Sequence, residues 1–192
     1  MGIYTTRPIT QDEYRILVKT VNDGYTDNNI VHKPNPRLAT IMILERNMGL
    51  RLSDIIKLKR EDIFHDGTGY RLDIVEKKTK NKRYLRVDDA VKHYLDSYCD
   101  SIGVTAGRIF TITDKAVWKA LREVTSYLKL QKVNTHSIRK LAGITIYKET
   151  KHDIEAVREF YGHSSIDMTK RYIEQTPETL SNAIHNTVDI PI

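Results

Sequence analysis

A chain of 192 residues, 40% hydrophobic and 29% charged, is long enough for one domain with its own apolar core, and its composition excludes extended disorder. The single Cys99 excludes an internal disulfide and suits a reducing cytosol, while no apolar run approaches the ~20 residues of a membrane span and Met1 to Thr10 lacks a signal-peptide core. Lysine plus arginine outnumber aspartate plus glutamate by 31 to 25, a net charge of +6 that is compatible with a polyanionic partner.

Thr10 and Glu13 form a capping-box pair that opens a helix to about Val21. Asn22 to Pro36, rich in Asn, Asp, Gly and Pro, reads as a loop. Leu38, Ile41, Ile43 and Leu44 recur on a helical period up to Met48, Gly49 suits the stop, and Arg51 to Leu58 resumes the helix. The period then changes. Tyr70, Leu72 and Ile74 alternate with polar residues, and Tyr84, Leu85 and Val87 follow a basic turn, which predicts a hairpin with Ile63–Phe64 as a third strand. That turn sets Lys77, Lys78, Lys80, Lys82, Arg83 and Arg86 against the single acid Glu76, a pattern shared by solvated hairpin tips and polyanion-binding surfaces.

Beyond the hairpin every pattern is helical: Asp88 to Ser101, Thr113 to Leu130, Thr135 to Lys148, Asp153 to Tyr161, Ser165 to Ile173 and Pro177 to Asn186. Gly162 marks a break, whereas Gly143 lies inside a helix and points to close packing. Trp118, three residues before Leu121, reads as core. The predicted class is α+β, mainly α-helical with one small antiparallel sheet, and no repeat or low-complexity tract is present.

Four stretches carry reactive groups: Gly49 to Asp54, Lys77-Lys78-Thr79, His136 to Arg139, and Gly162-His163 followed by Tyr172. Each has an ordinary structural explanation. Arg51 with Asp54 suits a surface ion pair, His136 a helix start, and Tyr172 is one of 11 tyrosines of the kind that pack in cores. Together they are what metal-free phosphodiester transfer requires. Two guanidinium forks hold the extra negative charge of a phosphorane-like state in a geometry that lysine lacks. A phenol costs roughly 4 kcal/mol to ionise at pH 7, so it needs cations and a proton acceptor beside it. The leaving alkoxide needs a donor, and a lysine crowded by cations is pushed toward that task. His136 and Arg139 are three apart and share a helix face, and Asp54 stands at the same spacing from Arg51, whose fork it can fix by a salt bridge. No Gly-rich phosphate loop exists, the acidic pairs Glu61-Asp62 and Asp88-Asp89 sit at element boundaries where solvated acids are common, and His152-Asp153 has no partners at metal-ligand spacing, so neither metal nor nucleotide cofactor is expected.

In order, interval and secondary structure these motifs resemble the catalytic domain of the tyrosine recombinases, the phage-integrase family, from about Pro8 to Leu180. That family's pattern is Gly-Leu-Arg-x-x-(Glu/Asp), a hairpin Lys, His-x-x-Arg, then Leu-Gly-His with Tyr nine residues on. The resemblance implies that Tyr172 attacks the scissile phosphate to form a 3′-phosphotyrosyl bond and release a 5′-hydroxyl. It implies that Arg51 and Arg139 clamp the phosphate, Lys78 protonates the leaving oxygen, His136 takes or relays the tyrosine proton, His163 stabilises the phosphate and Asp54 supports Arg51. Lys77, Lys80, Lys82 and Arg83 become DNA-binding residues. Two positions depart from the pattern without removing a required group: Lys140 follows Arg139, and Tyr161 stands where Leu is usual. Tyr161 is also a rival nucleophile, but it falls before the Gly162 break.

By the same resemblance, 1–192 is expected to be one catalytic domain with a core at about 8–176, lacking the N-terminal DNA-binding domain of most relatives. Residues 177–192 are expected either to contact a neighbouring protomer or to fold back on their own domain. The implied activity is site-specific DNA recombination or integration, independent of metal and ATP. The implied partners are double-stranded DNA, a homo-tetramer on paired sites and accessory DNA-bending proteins, with no membrane association. The implied setting is the cytoplasm of a bacterium, with the gene carried by the host, a phage or a mobile element. A type IB topoisomerase-like relaxing enzyme and a non-catalytic DNA-binding module are the alternatives.

Overall fold

The computed structural model describes residues 6–75 and 82–173. Lys77, Lys78 and Lys80 of the basic turn, the helix expected over 177–186 and the proposed protomer contact over 177–192 lie outside the described residues.

Helix α1 (Gln11–Asp23) begins at the predicted capping box: the Glu13 N–H donates to Thr10 Oγ1 at 3.2 Å and the Thr10 N–H to Glu13 Oε2 at 2.9 Å. Asn35 caps α2 (Pro36–Met48) by accepting the Leu38 N–H at 3.0 Å, and Pro36 occupies the first turn, where its missing N–H costs nothing. The segment expected to be all loop instead holds a hairpin, β1 (Tyr25–Asp27) with β2 (Ile30–His32), turning on Asn28 and Asn29 at φ 46° and 64°. Asparagine tolerates this left-handed turn, and because Ile30 and Val31 are both exposed, no alternation of burial announces the strands.

The central helix is α2. Leu38, Ala39, Ile41, Met42, Leu44 and Met48 are buried on all its sides, so it forms the axis of the core. Packed around it are Tyr14, Leu17 and Val21 of α1, Leu95 and Cys99 of α4 (Asp89–Ser101), Val117, Leu121 and Val124 of α5 (Asp114–Tyr127), and Ile138 and Leu141 of α6 (Thr135–Glu149). After α2, the short α3 (Leu52–Ile55) leads to an antiparallel sheet in the order β3 (Ile63–His65), β4 (Tyr70–Val75), β5 (Lys82–Val87). Ile63, Leu72, Leu85 and Val87 turn inward, and the β4–β5 register runs from Tyr70 opposite Val87 to Val75 opposite Lys82. Lys82 and Arg83 open β5. The chain ends its described part in α7 (Ile154–Tyr161) and α8 (Ile166–Ile173). The expected α+β class holds, with two small antiparallel sheets rather than one among the described residues.

Trp118 corrects the reading of its helix. It is 53% exposed, because the buried stripe of α5 runs through Val117, Leu121 and Val124. Trp118, one residue after Val117, is turned about 100° away from that stripe.

Candidate active site

Each candidate group is aimed by a local feature of the backbone. At the C-terminus of α2, Gly49 adopts the left-handed conformation (φ 57°) and turns the chain so that Arg51 stands exposed at the N-cap of α3. Arg51 is therefore outside the helix, and no Arg51–Asp54 salt bridge forms: Asp54 Oδ1 instead accepts from Ser53 Oγ at 3.3 Å.

His136 and Arg139 lie one turn apart near the start of α6. Arg139 points inward and is only 2% exposed, whereas His136 faces an open cleft of about 540 Å³. Its neighbours in that cleft include Lys115, Trp118, Lys119 and Arg122 of α5, at i, i+3, i+4 and i+7. This cationic stripe around an exposed tryptophan was not singled out from the sequence, although its helical spacing is visible there.

Gly162 ends α7 in the left-handed conformation (φ 63°), and the His163 N–H reaches back to the Arg158 carbonyl at 3.0 Å. This reversal tucks the His163 ring inward, at 3% exposure. Its Nδ1 is hydrogen-bonded with Thr169 Oγ1 of α8 at 3.0 Å, and Tyr172 follows Thr169 by three residues on the same helix. The Tyr172 ring is thereby brought to 5.1 Å from the His163 ring, centroid to centroid, and 5.7 Å from the Arg139 guanidinium carbon. The Tyr172 phenol, with that of Tyr161, favours the charged form of Arg139.

Tyr161 lies beneath this group at 1% exposure, its hydroxyl donating to the Arg139 carbonyl. Its burial pushes the phenol well above the usual tyrosine range, the Arg139 charge opposing, so this rival of Tyr172 keeps its proton and does not reach solvent. The last helical residue before Gly162 is thus internal, and the tyrosine of α8 is half-buried at the edge.

The electrostatics suit an anion. Nε and Nη2 of Arg139 are buried with no hydrogen-bond partner among the described residues, a costly arrangement for a guanidinium unless a ligand supplies acceptors. Glu45 of α2 is 1% exposed, and burial holds its carboxyl well above the ordinary carboxylate range against the pull of Arg139. Burial works against the charge of Arg139, and Arg51 adds a like-charge repulsion.

His136 responds to the same field: partial burial of its ring, then Arg139, Arg51 and Lys140, lower its pKa below the ordinary 6.5. We expect a histidine titration midpoint below 6.5 by NMR, with the ring neutral and able to accept a proton at pH 7. The unfolded chain binds that proton first, so His136 subtracts stability only as pH falls through the window below 6.5. A midpoint above 6.5 would contradict the cationic surroundings. Among the described residues no three His, Cys, Asp or Glu side chains are grouped to hold a metal ion. Likewise, no described helix is long and apolar enough to cross a membrane.

Comparison with known proteins adds the relatives. The family model described as the phage integrase family matches residues 7–179. The chain is 30% identical over 145 residues to the probable integrase/recombinase YoeC of Bacillus subtilis (strain 168), covering 72% of this chain and 78% of that protein. It is 25% identical over 165 residues to the tyrosine recombinase XerD of Staphylococcus epidermidis (strain ATCC 12228 / FDA PCI 1200), covering 80% of this chain but 51% of XerD, so it spans about half the length of that relative. Among solved structures, XerH site-specific recombinase bound to palindromic difH substrate in a post-cleavage complex superposes with a TM-score of 0.71 at 16% identity, covering 94% of this chain and 53% of that one. At that identity the likeness establishes the fold.

Proposed function

The chain belongs to the phage integrase family, and from that premise we propose that it is a tyrosine-type site-specific DNA recombinase. The observation that carries the proposal is the convergence of Arg139, His163 and Tyr172 in one pocket, with two guanidinium nitrogens of Arg139 unpartnered among the described residues.

In the proposed step the scissile phosphate enters between Arg51 and Arg139, which share its non-bridging charge. The Tyr172 oxygen attacks phosphorus while His136, neutral at pH 7, accepts the phenolic proton. The bond to the 5′-oxygen breaks, Lys78 donates the proton that makes it a 5′-hydroxyl, and Tyr172 holds the 3′-phosphate. His163, braced through Thr169, steadies the phosphate as charge builds. The phosphotyrosyl bond conserves the energy of the broken linkage, so rejoining requires no nucleotide. Asp54 supports the Arg51 loop through Ser53 rather than through an ion pair.

The test is a nicked suicide duplex of the cognate site, incubated in EDTA and resolved on a denaturing gel. A covalent protein–DNA band supports the proposal. DNA binding with no band reduces the chain to a binding module, and relaxation of supercoiled plasmid without site dependence would make it a topoisomerase.

The partner is double-stranded DNA, which we place across the cleft of His136 and along α5, and Lys77, Lys80, Lys82 and Arg83 are assigned to DNA binding by the same proposal. Assembly as a tetramer on paired sites, with accessory DNA-bending proteins, belongs to the same proposal, as does action at the nucleoid of a bacterial cell. Replacing Lys115, Lys119 and Arg122 together by Ala should lower the slope of log affinity against log salt by about 2–3 units, at most ~0.9 for each phosphate that is no longer neutralised. An unchanged slope would move the DNA off α5.

A further inference from the structure

We propose that Tyr161 is a positioning residue for strand cleavage, its ring orienting the Arg139 guanidinium toward the scissile phosphate. The proposal rests on the recombinase reading above and adds a component at a position where the resembled pattern has Leu.

The geometry is specific to a phenol. The guanidinium carbon of Arg139 lies 4.3 Å from the centre of the Tyr161 ring, close enough for a stacked cation–π interaction in a desolvated site. The hydroxyl of the same ring donates to the carbonyl of the same arginine. One side chain thus grips Arg139 at both ends. The Tyr161 ring also lies 5.0 Å from each of the His163 and Tyr172 rings, nearly parallel to the former at 28°. It is the common floor of three groups to which the proposed reaction assigns roles.

The neighbouring helix is shaped for this ring. Gly143 follows Arg139 by one turn of α6, and a Cβ there would sit 2.5 Å from the Tyr161 hydroxyl and 2.7 Å from its Cε2. Only a glycine leaves room for the phenol to reach the Arg139 carbonyl. The Tyr161 ring takes no part in the bond changes at Tyr172, so it can hold the guanidinium both before and after the Tyr172 oxygen bonds to phosphorus. Throughout the reaction the ring of Tyr161 keeps the fork in plane. Leucine fills much of the same space but offers neither a quadrupole nor a hydroxyl.

The experiment measures single-turnover cleavage at saturating protein for wild type, Tyr161→Leu and Tyr161→Phe. It uses two suicide duplexes: one with an ordinary scissile phosphodiester, one with a methylphosphonate that removes the charge Arg139 holds. Tyr161→Leu is expected to slow the phosphodiester roughly 10- to 30-fold, the worth of a desolvated cation–π interaction, with DNA affinity unchanged. On the neutral linkage its loss should shrink to about threefold or less, because there is little charge left to clamp. Tyr161→Phe, which keeps the stack, should stay within about fivefold of wild type on both, the worth of one net hydrogen bond.

Equal losses on the two linkages would assign Tyr161 to packing and overturn the proposal. So would a Leu variant as fast as wild type, or a Phe variant as slow as Leu on the phosphodiester. If Tyr161→Leu fails to fold, Tyr161→Met, closer in length, is read by the same two ratios. Wild-type protein that forms no adduct on either duplex overturns the recombinase reading and this proposal with it. Adduct formation with no Tyr161 effect overturns this proposal alone.

Discussion

Tyr172→Phe is expected to eliminate the covalent protein–DNA adduct, a loss on the order of 10⁴-fold or more, while leaving DNA affinity and the melting temperature close to wild type. Phenylalanine preserves the ring that lies 5.0 Å from Tyr161 and 5.1 Å from His163, so the pocket keeps its packing and loses one oxygen. The suicide-duplex gel measures the adduct and a mobility shift under native conditions measures binding. A persistent adduct would move the nucleophile to another residue. Tyr161 is a poor substitute, since its hydroxyl is buried and committed to the Arg139 carbonyl.

Arg139→Lys should be nearly as damaging to rate, slowing cleavage by about 10²- to 10³-fold, the usual cost of removing a preorganised charge-stabilising donor. The charge is nominally kept, but a single ammonium cannot present the two buried donors, Nε and Nη2, at fixed angles, nor stack flat on the Tyr161 ring. Single-turnover rates on the phosphodiester substrate measure the effect. A lysine variant within about tenfold of wild type would show that charge alone suffices, and that the fork geometry of Arg139 is not what the reaction uses.

Much of this architecture was legible in the residues themselves. The capping box at Thr10 and Glu13, the stop at Gly49 and the alternation through Tyr70, Leu72 and Ile74 are local signals, and local hydrogen bonding produced the predicted elements. The three-residue spacing placed His136 and Arg139 one turn apart near the start of α6, though Arg139 turns inward and His136 faces the cleft beside α5, and the Gly162 break supplied the reversal that turns His163 inward. What escaped depends on contacts between distant segments. Whether Trp118 or Val117 faces the core is settled by where α2 lies, one position of helical phase apart. The spacing of Arg51 and Asp54 suggested an ion pair, but the left-handed Gly49 puts Arg51 outside the helix and the spacing loses its meaning. Tyr161 looked like a neutral replacement for leucine because nothing near it in sequence shows that Arg139 and Gly143 meet its ring.

Helix α8 has a mechanical consequence. Thr169 and Tyr172 ride on one eight-residue helix, and Thr169 is hydrogen-bonded to a histidine on the segment before it. If Tyr172 is the nucleophile proposed above, its backbone does not advance toward a substrate alone: travel of the helix loads the His163 link, and travel of His163 tugs on the helix. On that reading Tyr172 is the tip of a short lever whose fulcrum is the Thr169–His163 bond.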